Sequence, residues 1–81
     1  MDQSTVFPLS ALPEGEGARV RALRLTGGMR RRLQDLGLVR GTQVVCLQRA
    51  AAGDPTAYQI RGAVIALRRT DAAHIEVGGL S

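Results

Sequence analysis

Two stretches of the chain alternate between apolar and polar residues, which is the pattern of half-buried strands. Over residues 18–25 small apolar residues alternate with arginines, so we expect a strand with its arginines directed outward. Residues 42–49 also show a period of two, which places Val44 and Cys46 on one face. A lone cysteine on such a face is expected to be a small buried apolar residue.

A helical pattern separates these two strands. Three apolar residues recur at the spacing i, i+4, i+7, namely Met29, Leu33 and Leu36. They predict a short helix over about residues 28–36 with one apolar side that packs on the core. Gly37 follows, and glycine is the residue best able to adopt the left-handed conformation that ends a helix. We expect Leu38, just past this cap, to fold back on Leu33.

Residues 57–60 and 63–68 predict a β-hairpin, because only Arg61 and Gly62 separate two apolar stretches. A two-residue loop fixes the register of the pair, so Tyr58 should lie opposite Ile65. The alternation then directs one set of side chains toward the core, namely Thr56, Tyr58, Ile60, Ala63, Ile65 and Leu67. The other face carries Gln59, Val64, Ala66 and Arg68.

Glycine, proline and short polar runs mark the remaining boundaries. Gly41 opens the second strand, and Gly53-Asp54-Pro55 is a strong turn signal. Residues 70–74 are typical of a single helical turn with Thr70 as its N-cap, followed by a short strand at residues 75–77. The resulting five short strands and one short helix predict a mainly β fold that closes into a small barrel.

Length and composition allow one domain, which we assign to residues 9–78, with flexible tails at 1–8 and 79–81. The chain has 81 residues, of which 44% are hydrophobic, enough for a core without a metal or a disulfide. Its single cysteine excludes an intramolecular disulfide and suits a reducing compartment. No signal peptide and no apolar run of membrane-spanning length is visible, so we expect a cytoplasmic protein.

The basic residues, all arginines, give a net charge of +4. Arg30, Arg31 and Arg32 fall in the first turn of the predicted helix, where cations face the positive end of the helix dipole. One interpretation is a solvated face in which Arg31 or Arg32 pairs with Asp35. The other is contact with acidic patches on a partner or with lipid head groups. Arg30 and Arg31 are the residues that we predict to contact a partner.

The sequence offers little chemistry for a metal site or an active site. It contains one histidine and one cysteine, and neither has a partner at the spacing of zinc ligands. An adventitious metal would bind His74 with Asp71 or Glu76, and a second molecule would have to complete the site. No nucleophile has a visible base beside it. We therefore expect no built-in metal, no cofactor and no enzymatic activity.

The ordered motifs resemble the FeoA family, the small cytoplasmic partner of the bacterial ferrous iron transporter. The resemblance covers residues 9–77 and rests on motifs in matching order. These are Leu12-Pro13-Glu14-Gly15, Arg31-Arg32-Leu33-Gln34-Asp35-Leu36-Gly37-Leu38, Arg40-Gly41-Thr42, Gly53-Asp54-Pro55, Arg61-Gly62, Ala66-Leu67-Arg68-Arg69, Asp71-Ala72, and Ile75 with Val77. It implies an SH3-like barrel and assigns Arg32, Leu33, Asp35, Leu36, Gly37, Gly41, Gly53, Asp54, Pro55 and Gly62 to structural motifs. The chain is expected to be a standalone copy of the domain.

The resemblance also implies a function, the modulation of Fe²⁺ uptake by a membrane GTPase-permease of the FeoB kind. We expect the protein to act by contact on the cytoplasmic side of the inner membrane, peripherally and without stable membrane insertion. A weak homo-oligomer is left open. The alternative is a small basic barrel that binds nucleic acid, which usually needs stacking aromatics. The chain has one phenylalanine and one tyrosine, so we favour the transporter, and we expect no binding of proline-rich peptides.

Overall fold

The computed structural model describes residues 5–79, which form six strands, two short α-helices and a 3₁₀ turn. The strands are β1 (Val6–Pro8), β2 (Gly17–Leu23), β3 (Gln43–Arg49), β4 (Thr56–Ile60), β5 (Ala63–Leu67) and β6 (Ile75–Gly78). The helices are α1 (Gly27–Asp35) and α2 (Arg69–Ala72), and the 3₁₀ turn is Leu9–Ala11. Neither α-helix of this part of the chain is long and apolar enough to cross a membrane.

The strands form one antiparallel sheet in the order β1-β6-β2-β3-β4-β5. The predicted mainly β fold with one short helix is confirmed, but the sheet has a sixth strand. The prediction that residues 1–8 form a flexible tail is wrong for β1, in which Phe7 lies opposite Val77 of β6. Residues 1–4 and 80–81 lie outside the described part, and Gly79, which was placed in the predicted C-terminal tail, is buried. Three residues are too few to show a strand period, and the pairing partner lies at the far end of the sequence.

The sheet wraps around a single hydrophobic core. Its buried members come from the strands, the 3₁₀ turn, both helices and the loops that follow the 3₁₀ turn and α1. They are Leu9, Leu12, Ala18, Val20, Leu33, Leu38, Val44, Cys46, Tyr58, Ile60, Leu67, Ala72, Ile75 and Val77. The predicted core face of β3, with Val44 and Cys46 together, is confirmed.

The β4–β5 hairpin has the predicted register, with Tyr58 opposite Ile65. Arg61 and Gly62 have φ angles of +50° and +82°, the two positive values that a type I′ turn requires. One part of the predicted core face is wrong, because Ala63 is exposed. It lies beside the turn on an edge strand, where no further strand of the described sheet covers it.

The C-terminus of α1 forms the predicted glycine cap. The Leu38 amide donates to the Leu33 carbonyl oxygen at 2.9 Å, and the Gly37 amide donates to that of Gln34 at 2.9 Å. With Gly37 at a φ of +100°, this is the Schellman arrangement. Leu33 and Leu38 are both buried, so the cap also ties the end of the helix to the core.

The predicted helical turn near residues 70–74 begins one residue earlier, and its predicted cap is wrong. Thr70 lies inside α2, and Arg68 occupies the N-cap position without a side-chain hydrogen bond. The Arg69 amide donates instead to Oδ1 of Asp54, at 2.9 Å. Asp54 lies fifteen residues earlier in the turn before β4, so the first turn of α2 is capped across the fold.

Candidate functional site

A groove of about 570 Å³ lies between α1 and the edge strand β5. One wall comes from α1, with Met29, Arg32, Leu33 and Leu36. The other comes from residues 64–68 and from Asp71 of α2. The groove follows the edge at which β5 has no further strand beside it in the described sheet.

The apolar stripe of α1 is divided between the core and this groove. Leu33 is fully buried, whereas Leu36 is 40% exposed although it belongs to the same stripe. The interpretation of Leu36 as a core residue is therefore wrong. The helix packs on the core through Leu33, whereas Leu36 lines the groove between α1 and β5.

Strand β5 brings a second apolar contribution. Val64 is the most exposed of the large hydrophobic side chains, at 62%, and Ile65 packs partly against the core. An edge strand with an exposed valine is a surface that proteins usually cover or protect with charge. The groove thus combines an apolar interior with an unpaired strand edge.

Arginines surround the apolar part of the groove. Arg32 lies on the α1 wall and Arg68 follows β5, while Asp71 supplies one negative charge. Arg61 extends over Gly37, at the end where α1 stops and β5 starts, since a β-carbon at Gly37 would overlap the Arg61 side chain. Between residues 5–79 the one ion pair joins Arg24 to Glu76, away from these arginines.

The three consecutive arginines have three different environments. Arg30 donates through Nη1 to the Leu23 carbonyl oxygen at 2.6 Å, which fastens the start of α1 to the end of β2. All three side chains are exposed, but only Arg32 also lines the groove. Within the described part of the chain, the pairing with Asp35 expected for Arg31 or Arg32 does not form.

The side chains considered for an adventitious metal are not assembled into a site. Glu76 accepts from Arg24, with Nε and Oε2 2.5 Å apart, and this hydrogen bond and the charge of Glu76 raise the pKa of the Arg24 guanidinium. Asp71 lines the groove, and His74 is exposed. Over residues 5–79 no three histidine, cysteine or acidic side chains are grouped to hold a metal ion.

The remaining reactive and aromatic side chains face inward. Cys46 is fully buried, and burial raises the pKa of its thiol. Tyr58 is buried as well, which raises the pKa of its hydroxyl, and this hydroxyl donates to the Leu9 carbonyl oxygen at a long 3.4 Å. Phe7 packs against the core. The stacking platform expected of a single-strand nucleic-acid site is therefore not offered by these two aromatic rings.

Sequence reasoning identified the stripe of α1 and the outer face of β5 but did not bring them together. The signal was present, because Val64 is a β-branched residue on the face assigned to solvent, and such a residue favours a covered surface. What the pattern could not show is that β5 ends the sheet and that α1 lies beside it.

Comparison with known proteins gives a consistent result. The family model described as the FeoA domain matches residues 7–78. An Fe(2+) transport protein A/Fe(2+) transporter FeoB fusion protein of Porphyromonas gingivalis is 38% identical over 69 residues, which are 85% of this chain and 8% of that protein. The chain thus spans less than a tenth of that relative's length.

Solved structures of FeoA proteins share the fold, and two of them illustrate the likeness. The solution structure of the FeoA protein from Chlorobium tepidum is 39% identical and has a TM-score of 0.88, with 93% of this chain and 71% of that chain covered. The zinc complex of Stenotrophomonas maltophilia FeoA, described as a prokaryotic SH3 domain protein, is 29% identical, with a TM-score of 0.79 and 88% of each chain covered. The expected SH3-like fold is confirmed.

Proposed function

This chain belongs to the FeoA family, which is associated with ferrous iron transport, and we propose that it modulates a FeoB-like transporter by direct contact through the groove between α1 and β5. The proposal has two parts, the partner and the surface. The first rests on the relatives and the second on the geometry of the groove.

The fusion protein of P. gingivalis is the observation that carries the choice of partner. It joins a domain 38% identical to this chain to a FeoB transporter in one polypeptide. A covalent link holds two domains at an effective concentration of the order of millimolar, so even a weak contact between them is populated. A separate protein that serves the same transporter must supply the affinity through its own surface.

The groove has the features of a contact surface. Protein interfaces have an apolar centre in which arginine is enriched and most other charged residues are depleted. Leu36 and Val64 supply exposed apolar area, and Arg32 and Arg68 stand beside them. We assign the centre of the contact to the two apolar residues.

Arg31 adds a charged contact at the rim of the proposed surface. Its exposed position one residue before the groove wall suits a contact at the rim. Arg30 was predicted to share this role, but its hydrogen bond to the Leu23 carbonyl oxygen gives it a structural role. Replacing Arg31 with glutamate should therefore slow association with an acidic partner more than it speeds dissociation.

A matched pair of leucines tests the surface. Leu36 and Leu47 are both 40% exposed, but only Leu36 lines the groove. Binding of the full chain to the cytoplasmic domain of its FeoB-like transporter is measured by calorimetry for Leu36→Gln and Leu47→Gln. We expect Leu36→Gln to weaken binding about tenfold, the equivalent of 1.4 kcal/mol, and Leu47→Gln to leave it unchanged.

Two outcomes contradict the proposal. If the chain does not bind the cytoplasmic domain or the full-length transporter, the partner is wrong. If it binds but both glutamine variants bind alike, the partner stands and the groove is the wrong surface. Thermal unfolding of both variants shows whether either substitution has disturbed the fold.

A further inference from the structure

We infer that the groove receives an extended segment of the partner as an added strand on β5, with apolar residues at alternate positions and at least one carboxylate. This inference rests on the proposed function and specifies how the contact is made. Strand addition is an established way for a sheet edge to bind a peptide, in which the backbone supplies affinity and alternate side chains supply specificity.

The register of the β4–β5 hairpin shows which backbone groups are available. In a hairpin with a two-residue loop, the residues beside the loop form a hydrogen-bonded pair, and the pairs then alternate. Ile60 lies opposite Ala63 next to the turn, so the amide and carbonyl of Ile65 also point toward β4. Those of Val64 and Ala66 point outward to the free edge.

A strand added to the free edge of β5 lies in the groove. It lies about 4.8 Å from β5, on the side where α1 forms the other wall of the groove. Every second side chain of that strand then meets Met29 and Ile65, which are partly buried, and Leu36, which is exposed. Residues of small or medium size and apolar character fit those positions.

Charge decides between the candidate occupants. Arg32 and Arg68 line the groove against the single acid Asp71, and Arg61 lies at the turn end. A carboxylate on the incoming strand meets these arginines with opposite charge, and arginine presents a fork that binds a carboxylate through two hydrogen bonds. An acidic and apolar segment of the transporter is therefore the occupant that the groove favours.

A second copy of the chain suits this edge less well. Antiparallel pairing of two β5 strands brings the Arg61 end of one copy toward the Arg68 end of the other, and like charges oppose each other across the pair. The other edge strand, β1, has three residues and includes Pro8, and proline cannot donate to a new ladder.

Hydrogen exchange of single amides gives the direct test. The ¹⁵N-labelled full chain is measured alone and with the cytoplasmic domain of the transporter. We expect the amides of Val64 and Ala66 to exchange rapidly in the free protein and at least tenfold more slowly in the complex. The Ile65 amide, which bonds to β4, should be protected in both states. Docking through side chains alone would leave Val64 and Ala66 unprotected and would overturn the inference.

A proline substitution tests the same point through affinity. Ala66→Pro removes an outward amide without removing a hydrogen bond to β4, and edge strands tolerate proline in this orientation. Ala66→Val keeps the amide and is the matched control. We expect Ala66→Pro to weaken binding at least tenfold relative to Ala66→Val, with both variants folded as judged by their amide spectra. Equal binding of two folded variants would overturn the inference.

The chemistry of the segment is tested with synthetic peptides that cover the cytoplasmic segments of the transporter. We expect the bound peptide to lose affinity when its carboxylates are replaced by amides and when salt is raised. Two results would contradict the proposed occupant. One is a peptide that binds equally well without carboxylates. The other is protection of the Val64 and Ala66 amides that appears only as the free chain self-associates. Failure of the whole cytoplasmic domain to bind removes the proposed function, whereas binding without amide protection removes only the added strand.

Discussion

Arg61 lies over Gly37, in the space that a side chain at Gly37 would need. A β-carbon there would overlap the Arg61 Cδ atom, and Gly37 has a φ of +100°. One residue follows the end of α1 and the other lies in the turn between β4 and β5, so their contact brings the C-terminal end of α1 next to the start of β5. The glycine is required twice, once for its backbone angle and once for the absence of a side chain.

We expect Gly37→Ala to destabilise the fold more than Gly53→Ala. The left-handed backbone alone costs an alanine about 1–2 kcal/mol, and both positions carry this cost because Gly53 has a φ of +90°. A β-carbon at Gly53 meets nothing within 4 Å, so only Gly37→Ala must also displace Arg61. Urea unfolding at neutral pH measures both free energies.

The double variant Gly37→Ala with Arg61→Ala isolates the steric part. Removing the Arg61 side chain should recover the excess cost of Gly37→Ala over Gly53→Ala, so the two single effects should not add. If the changes in unfolding free energy of the two single variants add strictly in the double variant, Arg61 moves aside in Gly37→Ala without loss of stability.

The neighbouring cations Arg30 and Arg31 should differ in their effect on stability. Since α1 begins at Gly27, Arg30 and Arg31 are its fourth and fifth residues, and a charge beyond the first turn interacts only weakly with the helix dipole. Arg30→Met loses the hydrogen bond to Leu23, which contributes about 0.5–1.5 kcal/mol. Arg31→Met should thus be neutral or slightly stabilising and Arg30→Met destabilising, as thermal unfolding at low salt can measure. If the two substitutions change the melting temperature equally, the hydrogen bond of Arg30 does not anchor α1.

The cap of α2 should depend on Asp54 and not on Thr70. Asp54→Ala removes the acceptor of the Arg69 amide, and the loss of a helix cap costs about 0.5–2 kcal/mol. Thr70→Ala replaces a side chain that makes no cap and should change the unfolding free energy by less than about 0.5 kcal/mol. Both free energies are measured by denaturant unfolding. If Thr70→Ala is the more destabilising substitution, Thr70 caps the helix, as the sequence predicted.

Stability should fall on the alkaline side. Burial raises the pKa of the Cys46 thiol in the folded state, whereas the unfolded chain releases this proton near pH 8.5. Above that pH the unfolded state binds fewer protons than the folded state, so the free energy of unfolding decreases as pH rises. The contribution of the Cys46 thiol to stability is complete below about pH 8.5. It is lost as the pH rises through the higher pKa that this thiol has in the folded state.

Cys46→Ala should flatten this dependence between about pH 8.5 and 10, although it lowers stability at neutral pH by opening a small cavity. Tyr58, whose hydroxyl pKa is also raised by burial, should retain its own decline near and above pH 10. Denaturant unfolding across this range measures both. An unchanged slope in the alanine variant would mean that the Cys46 proton is not linked to folding.

The parts of the fold that the sequence predicted well depend on local interactions. The end of α1 at Gly37 and the register set by Arg61 and Gly62 follow from backbone angles that few residues adopt. The errors involve residues far apart in the chain. Strand β1 exists because β6 pairs with it, and Asp54 caps α2 from fifteen residues away. No local pattern carries that information.

The candidate site divides in the same way. The helical spacing placed Leu33 and Leu36 on one face, but this spacing does not distinguish a leucine buried in the core from one that lines a groove at the surface. The sequence placed Arg30 at the positive end of the helix dipole, whereas in the structure it is the fourth residue of α1 and donates to the Leu23 carbonyl oxygen. Which strand lies last in the sheet is a property of the whole topology, and the groove follows from it.

The pairing of β1 with β6 has a consequence for how this domain is joined to other polypeptides. Val6 lies opposite Gly78, so the chain enters and leaves the sheet at two positions about 5 Å apart. A linker added before Val6 or after Gly78 thus starts from nearly the same point relative to the rest of the domain. Whether a fused domain precedes or follows this one therefore changes the starting point of the linker very little.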